Sequence, residues 1–412
     1  MAVENAEMLG LYISIPFCRS KCTYCNFASG VYPASEHARY VERLIEDSRA
    51  AADWAEEMGV ELPRRVDTVY MGGGTPSLLA PELIERFFAA MRTQFHFEAD
   101  AEITAECAPG QIADETLRAL VAAGVNRVSL GVQSFVDREA QVSGRLHSRA
   151  IVLDDLRRFR AAGIANLNVD LIAGLAGQTF GSWDESLSTL VECGVPHASV
   201  YMLEVDEDSR LGREMLGGGT RYFAEQVPSD DAIAQMYETA IERLQAARLS
   251  QYEISNFCRP GFNSRHNLRY WQRRPYLGLG LDASSMLREV AGAGSGFVLR
   301  STTTDDLGAF LAGPRPAETA WHSPARQHEE AWFLGLRLNE GVDVAALEIE
   351  FGVEAVSRAM NVVQRLAEDG LLSFDGKTVR LTAQGRLLSN NVFQEFLGFE
   401  KEEGNLTIAT SA

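Results

Sequence analysis

The first half of the chain alternates short runs of β-branched and apolar residues with longer segments of helical periodicity. Such alternation indicates parallel strands joined by right-handed crossovers, and therefore an α/β fold. Six strands predict a complete or partial (β/α)6 barrel, with a doubly wound sheet as the alternative, because sequence alone does not show closure. The candidate strands are Leu11–Ile15, Thr68–Met71, Glu102–Glu106, Arg127–Val132, Leu167–Ile172 and Ser199–Leu203, and the candidate helices lie near 35–57, 81–93, 114–123, 149–162 and 182–193.

The rest of the chain divides into two further segments and a tail. Residues 206–325 are less regular and contain one well-defined helix, Asp230–Arg248, with Ser229 as its N-cap. Helical patterns follow near 327–338, 343–351 and 354–369, then two strands joined by Asp375-Gly376, and a last helix after Thr382. We predict a barrel over 1–205, an extension over 206–325, a winged-helix-like α+β domain over 326–400 and a tail over 401–412.

The charge of the chain restricts its partners. Lys and Arg number 38 against 57 Asp and Glu, a formal net charge of −19, so the overall positive field typical of nucleic-acid binding is absent. The winged-helix-like segment is acidic too, with seven Arg and Lys against twelve Asp and Glu over 325–400. This favours a packing or partner module over DNA binding, and we expect no nucleic-acid partner.

No segment has the character of a secretory signal or a membrane span. Residues 1–10 lack a basic region followed by an apolar stretch. The most apolar run, Ala161–Gly177, is interrupted by Asn166, Asn168 and Asp170. Apolar residues make up 46% of the 412-residue chain, which is enough for a sizeable core without disulfides. We expect a cytoplasmic protein with no transmembrane span.

Three of the six cysteines fall within eight positions, at Cys18, Cys22 and Cys25. Three thiolates at this spacing can bind three irons of a cubane cluster and leave the fourth iron open to a small molecule. A structural zinc site is the alternative, but it requires four ligands and no fourth cysteine or histidine lies nearby. We predict a [4Fe–4S] cluster on these cysteines, and small buried hydrophobes at Cys107, Cys193 and Cys258.

Other unusual residues follow the predicted strands. Gly72-Gly73-Gly74-Thr75 comes after the second strand, where glycines allow the backbone to approach a ligand closely, although a tight turn has the same pattern. Glu106 ends the third strand, Gln133 follows the fourth and Asp170 lies in the fifth. Since ligands of parallel α/β folds bind at the carboxyl ends of strands, we expect these residues to converge on one face.

The CxxxCxxC loop after the first strand resembles the signature of the radical S-adenosylmethionine (SAM) superfamily. That resemblance implies a cluster whose open iron is chelated by SAM, and reductive cleavage of SAM to a 5′-deoxyadenosyl radical. Further motifs are similar to those of oxygen-independent coproporphyrinogen III oxidases and their relatives. By resemblance, the SAM site comprises Tyr12, Tyr24, Gly72, Gly73, Gly74, Thr75, Glu106, Gln133, Arg145 and Asp170. The residue types suit SAM, because Arg145 can pair with its carboxylate and Asp170 can accept from ribose hydroxyls.

Two features distinguish branches of this family. Oxidase members usually carry a fourth cysteine two residues after the third, where Phe27 stands here, as in HemW-type haem chaperones. The segment His266-Asn267-Leu268-Arg269-Tyr270-Trp271 matches the HNxxYW motif of those chaperones. The resemblance implies His266 as an axial haem ligand; from spacing alone, a loop histidine beside core aromatics is the alternative. One departure is Ser284, where the family commonly has a histidine.

These resemblances predict a haem chaperone that holds haem through His266 and delivers it to a haem-accepting protein. If the acceptor is membrane-associated, contact with the membrane would be peripheral. The alternative is an oxygen-independent coproporphyrinogen III oxidase of porphyrin biosynthesis, against which Phe27 argues. Another SAM-dependent radical reaction, such as methylation, is a third hypothesis. The sequence names neither the acceptor nor the oligomeric state, and it leaves open whether SAM is cleaved.

Overall fold

A computed structural model describes residues 7–290, 292, 295–313 and 317–398. The predicted tail, 401–412, lies outside these residues. The strands are β1 (Leu9–Ile15), β2 (Arg65–Gly73), β3 (His96–Cys107), β4 (Arg127–Gln133), β5 (Asn166–Ala173), β6 (His197–Met202), β7 (Ser250–Gln251), β8 (Asn256–Cys258), β9 (Tyr276–Leu279), β10 (Ser284–Arg288), β11 (Val298–Thr303), β12 (Ala317–His322), β13 (Val342–Asp343), β14 (Leu372–Phe374) and β15 (Thr378–Leu381).

The helices alternate with the first six strands and then continue into the second half of the chain. They are α1 (Ala34–Glu57), α2 (Pro81–Gln94), α3 (Asp114–Ala122), α4 (Asp137–Val142), α5 (Arg149–Ala161), α6 (Phe180–Glu192), α7 (Arg210–Gly217), α8 (Asp230–Ala246), α9 (Arg265–Trp271), α10 (Leu307–Ala312), α11 (Pro324–Leu336), α12 (Val344–Phe351), α13 (Val353–Glu368), α14 (Ala383–Leu387) and α15 (Ser389–Gln394). In the parts of the chain that the structure describes, we find no helix with the length and apolar character needed to cross a bilayer.

Strands β1 to β6 are parallel and lie side by side in chain order. This sequential order confirms the partial barrel, and the doubly wound alternative is wrong, because a doubly wound sheet reverses its strand order at a switch point. The strands are buried on both faces, as in β1, where six of seven residues are buried. Helices cover the outside, and polar side chains such as Thr104 and Arg127 occupy positions inside.

The sheet extends beyond these six strands at both edges. Strand β9 pairs in parallel with β1, and β10, β11 and β12 continue from it in antiparallel order. At the other edge β8 pairs with β6, and β7 pairs with β8. Strands β1 and β6 therefore have other neighbours, and the barrel stays open. The sequence had predicted only irregular structure for the segment that supplies these strands, because they are short and weakly patterned.

The C-terminal segment has its own apolar core, which includes Trp332, Val356, Val363 and Phe396. Helices α11 to α13 pack against a small antiparallel sheet in the order β13-β15-β14. The hairpin predicted at Asp375-Gly376 is confirmed, with Gly376 at a φ of +91°, where a side chain would be strained. Strand β13 was not predicted, because two residues carry no readable period.

A buried ion pair attaches α9 to the amino ends of β1 and β2. The fully buried Arg269 guanidinium pairs with Asp67 and donates to the carbonyl oxygens of Met8 and Pro275, both at 2.8 Å. Its Nε also donates to Thr68 Oγ1 at 3.2 Å. A side chain at Gly10 would collide with Arg269, so the glycine leaves room for the arginine. Because each of its three nitrogens has a partner, the charge is buried without being left unpaired.

We predict that Arg269→Met destabilises the fold by about 3–5 kcal/mol, because it leaves the buried Asp67 without its main partner. Urea or thermal unfolding of the protein measures this loss. Arg274→Met is the matched control: Arg274 contacts the same carboxylate at 2.9 Å but its side chain is 36% exposed, so its loss should cost about 1 kcal/mol or less. Equal losses in the two variants would contradict the assignment.

Candidate functional site

A large cavity with a volume of about 920 Å³ opens at the carboxyl ends of the barrel strands. The convergence expected from the sequence is therefore present. Its wall includes most of the predicted site residues: Cys18, Cys22, Tyr24, Cys25, Gly73, Gly74, Thr75, Glu106, Gln133, Arg145 and Asp170. Three predicted residues, Tyr12, Gly72 and His266, are not part of this wall.

The cysteine loop is fixed by backbone contacts with other parts of the barrel. Cys18 N–H donates to Gly30 O at 2.9 Å, and Thr23 N–H donates to Ser143 O at 3.1 Å. Gly144, at a φ of +89°, lies under the loop, where an added Cβ would come within 3.2 Å of the Cα of Cys22. The three thiols are partly buried and none is in a disulfide. The loop thus presents free thiols to the cavity.

The thiols are not arranged around a single point. Within the described ranges, no group of three or more His, Cys, Asp and Glu residues could hold one metal ion. A single zinc ion would need such convergence. A cubane cluster does not, because each thiolate binds a different iron. The cluster on Cys18, Cys22 and Cys25 stays a prediction.

The glycine run follows β2 and places backbone close to the cysteine loop. Gly74 N–H donates to Ile15 O and Thr75 N–H to Phe17 O, at 2.9 and 2.8 Å. An added Cβ at Gly74 would come within 2.6 Å of Ile15 O, so this position admits only glycine. The glycine run therefore packs its backbone against the backbone that leads into the cysteine loop, and it is not an isolated turn.

Glu106 is held at the end of β3 by two donors. Tyr70 OH donates to its Oε1 at 2.8 Å and Gly73 N–H to its Oε2 at 3.2 Å. The pKa of Glu106 is raised to about 7, mainly by burial and in part by the nearby Asp170, while these two hydrogen bonds oppose the shift. The carboxyl group is consequently able to change its protonation state near neutral pH.

Asp170 and Arg145 bring opposite charges to the same cavity. Asp170 accepts from Ser129 Oγ at 3.0 Å and from Asn168 Nδ2 at 2.7 Å. Burial raises its pKa, against these hydrogen bonds. The Arg145 Nε is buried and has no hydrogen-bond partner, so donor capacity remains on that side chain. An added Cβ at Gly131 would collide with the Arg145 guanidinium.

Gln133 reaches the cavity because the strand is irregular there. The pairing of β4 with β5 shifts register between Gly131 and Gln133. Gln133 has a φ of +69°, an unusual value for a residue with a side chain. Bulges of this kind redirect a side chain at a strand end and are frequent beside functional sites.

A second, smaller cavity of about 230 Å³ adjoins the first, since Phe27 and Gly73 line both. Tyr12 belongs to this smaller cavity together with Tyr270, Tyr276 and Ser284. Tyr12 thus lies in the smaller cavity, where Gly73 is the one other predicted SAM residue. It places Ser284, the departure from the family pattern, beside the tyrosine of the HNxxYW segment.

His266 is fully buried and both ring nitrogens are occupied. Its Nδ1 lies 2.9 Å from Thr68 Oγ1, and its Nε2 lies 2.8 Å from Tyr270 OH. Burial, with the charges of Arg269 and Arg127, lowers the pKa of His266 to about 3, so the ring is neutral. A neutral ring can ligate iron, but in this conformation the Tyr270 hydroxyl occupies Nε2. The axial role of His266 stays a prediction that requires Tyr270 to move.

Several wall residues were missed from the sequence. Tyr70 and Ser129 lie two residues before Gly72 and Gly131, so they point to the same side of their strands. That period-two signal was available. By contrast, Tyr201 and Arg337 come from segments that have no motif. His147 is buried outside the wall, as expected for a structural histidine.

Comparisons with known protein families give a match for each of the two ends of the chain. Residues 12–190 match the Radical SAM superfamily, and residues 323–388 match the HemN C-terminal domain. The chain is 34% identical to Heme chaperone HemW of Lactococcus lactis, covering 94% of this chain and 96% of that protein. It is 33% identical to Heme chaperone HemW of Mycobacterium tuberculosis, covering 97% of each.

Among solved structures, the fold matches coproporphyrinogen III oxidase (HemN) of Escherichia coli, a radical SAM enzyme. The TM-score is 0.81, over 96% of this chain and 91% of that one, at 23% sequence identity. At this identity the match establishes the fold alone.

We predict that Glu106 titrates near pH 7 in the protein without SAM. Its folded-state pKa lies above the ordinary value of 4.5, so the folded protein keeps a proton that the unfolded chain has lost. Its contribution to stability is therefore complete below pH 4.5 and is lost as the pH rises through 7. Infrared difference spectra of wild type against Glu106→Gln should show a protonated carboxyl band that disappears with a midpoint near pH 7.

The control for this titration is Glu238→Gln, which removes an exposed carboxylate of α8. The band assigned to Glu106 should remain in this variant, with the same midpoint. A Glu106 band already absent at pH 5.5 would contradict the prediction.

Proposed function

Because the chain belongs to the HemW heme chaperone family of the radical SAM superfamily, we propose that it binds haem and delivers it to haem proteins. The observation that carries this proposal is similarity to heme chaperones along nearly the whole chain, through the barrel, the extension and the C-terminal segment. The oxidase alternative has a fold match at 23% identity, which carries no function, and Phe27 stands where a fourth cysteine would be expected.

The donor set of the large cavity fits a [4Fe–4S] cluster with SAM. Three free thiols lie on one loop, and the adjacent glycine run leaves no space for side chains. Arg145 has an unpartnered buried Nε, which indicates that this site is built for an acceptor group. When bound, the cluster would supply an open iron at which the amino and carboxylate groups of SAM attach.

The side chains around the cluster loop would orient SAM. In this proposal Arg145 pairs with the methionyl carboxylate, and Asp170, held by Ser129 and Asn168, accepts from the ribose hydroxyls. Glu106 holds backbone donors of the glycine run in place and can accept a proton near neutral pH. Gln133 and Tyr24 complete the wall around the ligand.

Haem binding in this proposal depends on α9, which carries the HNxxYW segment. With Nδ1–H donating to Thr68, the Nε2 lone pair of His266 faces the Tyr270 hydroxyl. Displacement of Tyr270 toward the smaller cavity, which Tyr270 already lines, would free Nε2 for iron. Tyr270 therefore acts as a latch on the haem ligand.

The recipient would be a haem protein, and a membrane-associated recipient would be reached by peripheral contact. The chain carries a net charge of −19, so a recipient docking surface with positive charge would be favoured. Ordering of the cluster loop by SAM offers a way to link cofactor state to haem transfer, since a ligand shifts a protein toward the conformation that it binds better.

We predict that Cys22→Ala abolishes the brown absorbance and most of the iron of the anaerobically reconstituted protein, because the cluster loses one of three ligands. Asp170→Ala should keep full iron while weakening SAM binding, measured by equilibrium dialysis. Cys193→Ala, a partly buried thiol outside the loop, is the matched control and should retain both. Full iron in Cys22→Ala would refute the ligand assignment.

We predict that an anaerobic haem titration, followed by the Soret band, shows stoichiometric binding in wild type and weakened or spectrally altered binding in His266→Ala. Tyr270→Phe removes the hydroxyl from Nε2, so haem should bind roughly threefold to tenfold more tightly, the value of one hydrogen bond.

The control is Tyr276→Phe, which removes a hydroxyl from the same small cavity but one that contacts Arg300. It should leave the affinity unchanged. If neither His266→Ala nor Tyr270→Phe changed haem binding, the iron would be bound elsewhere. Absence of haem binding by wild type would refute the chaperone proposal.

A further inference from the structure

Part of the wall of the large cavity comes from outside the barrel and contains none of the predicted cluster or SAM residues. It is lined by Ser255, which lies just before β8, and by Arg337, Ser389, Asn390 and Asn391 of the C-terminal segment. Hydroxyl, amide and guanidinium groups on this surface can all donate hydrogen bonds. The cavity volume, about 920 Å³, lies at the upper end of the range for ligand sites, about 300–1,000 Å³.

Arg337 is held in place by an aromatic ring and keeps its donors free. Its guanidinium carbon lies 4.2 Å from the centre of the Trp271 ring, the last residue of the HNxxYW segment. Among the described residues no hydrogen bond from its side chain is found, and its buried Nε has no partner. Stacking on a tryptophan fixes the orientation of a guanidinium through its flat face. The N–H groups along its edge keep their capacity to donate hydrogen bonds.

The acidic neighbour of Arg337 does not use these donors. Glu253 is buried, and its Oε2 lies 4.0 Å from Arg337 Nη2, beyond hydrogen-bond distance. Its Oε1 is already engaged by the backbone N–H of Ser255 and by Asn256 Nδ2. The other acidic residues of the wall, outside the predicted SAM site, are Glu204 and Asp206, which follow β6. Glu253 thus lies beside Arg337 without accepting a hydrogen bond from it.

We propose that Arg337, together with the neighbouring amides of Asn390 and Asn391, forms a carboxylate-binding subsite of the large cavity. Its chemistry suits a planar carboxylate that accepts two parallel N–H donors from one guanidinium. The identity of the ligand rests on the proposed function: it is a tetrapyrrole, and the carboxylate is one of its propionates. In this proposal the C-terminal segment contacts the ligand directly. Arg337 connects α9, which carries the HNxxYW segment, to the cavity.

The test compares haem with its dimethyl ester, in which both propionates have lost their charge. Affinities are measured from the Soret band for wild type and Arg337→Gln, with both ligands supplied from the same detergent solution. Arg337→Gln should weaken haem binding tenfold or more, whereas the ester should bind the two proteins equally within twofold. In wild type the ester should bind about as weakly as haem binds the variant.

Arg273→Gln is the matched control. Arg273 stacks on Phe351 at 5.2 Å and pairs with Glu350 of α12, so it also joins the C-terminal segment to the end of α9, but it lines neither cavity. Its haem affinity should stay within twofold of wild type. Iron content and SAM binding, measured on each variant, report whether the barrel is intact.

The outcomes separate this proposal from the proposed function. If Arg337→Gln weakened the binding of haem and of the ester equally, the role of Arg337 would be structural. If the haem affinity did not change, Arg337 would not contact the ligand. Either result overturns the subsite while wild type still binds haem. Absence of haem binding by wild type overturns the chaperone proposal and the propionate assignment with it.

Discussion

The architecture depends on burying the positive charge of Arg269 beneath the barrel. Asp67, Thr68 and two backbone carbonyls from separate elements satisfy that guanidinium, and this network attaches α9 to the amino ends of β1 and β2. Glu102 accepts hydrogen bonds from the backbone N–H groups of Arg265 and His266 and so caps the N-terminus of the same helix. Because α9 is fixed at this position, the side chains of His266, Tyr270 and Trp271 each have a defined neighbour.

Those neighbours connect the two cavities. Tyr70 donates to Glu106 at the large cavity and its ring lies 5.4 Å from that of His266. His266 contacts Tyr270, whose ring lies 4.7 Å from Tyr276 in the smaller cavity. A continuous series of packed rings and hydrogen bonds thus runs from the predicted SAM site to the latch on His266. A change at Glu106 therefore has a physical route, through Tyr70, to His266, the proposed haem ligand.

Much of the barrel followed from sequence because its signals are local. The six strands appear where alternation predicted them, longer by between one residue, as in β4, and seven residues, as in β3, and Asp375-Gly376 forms the expected hairpin. The same reasoning missed β9 to β12, because a short strand is stabilised by its neighbours more than by its own residues. It brought Glu106, Arg145 and Asp170 together correctly, yet it did not place Tyr12 in the smaller cavity, since Tyr12 on β1 and Tyr70 on the neighbouring β2 carry no local signal of which cavity they line.

The sequence by itself determined the cofactor chemistry to be expected, the parallel direction of the first six strands and the set of residues at the strand ends. Cysteine spacing, glycine runs and strand periodicity are properties of neighbouring residues, so they can be read without a fold. Only the tertiary structure decided that His266 is buried against Thr68 and Tyr270, and that Arg337 stacks on Trp271 beside the large cavity. These contacts join residues as many as 198 positions apart, and their geometry is set by how whole elements pack, which no local pattern records.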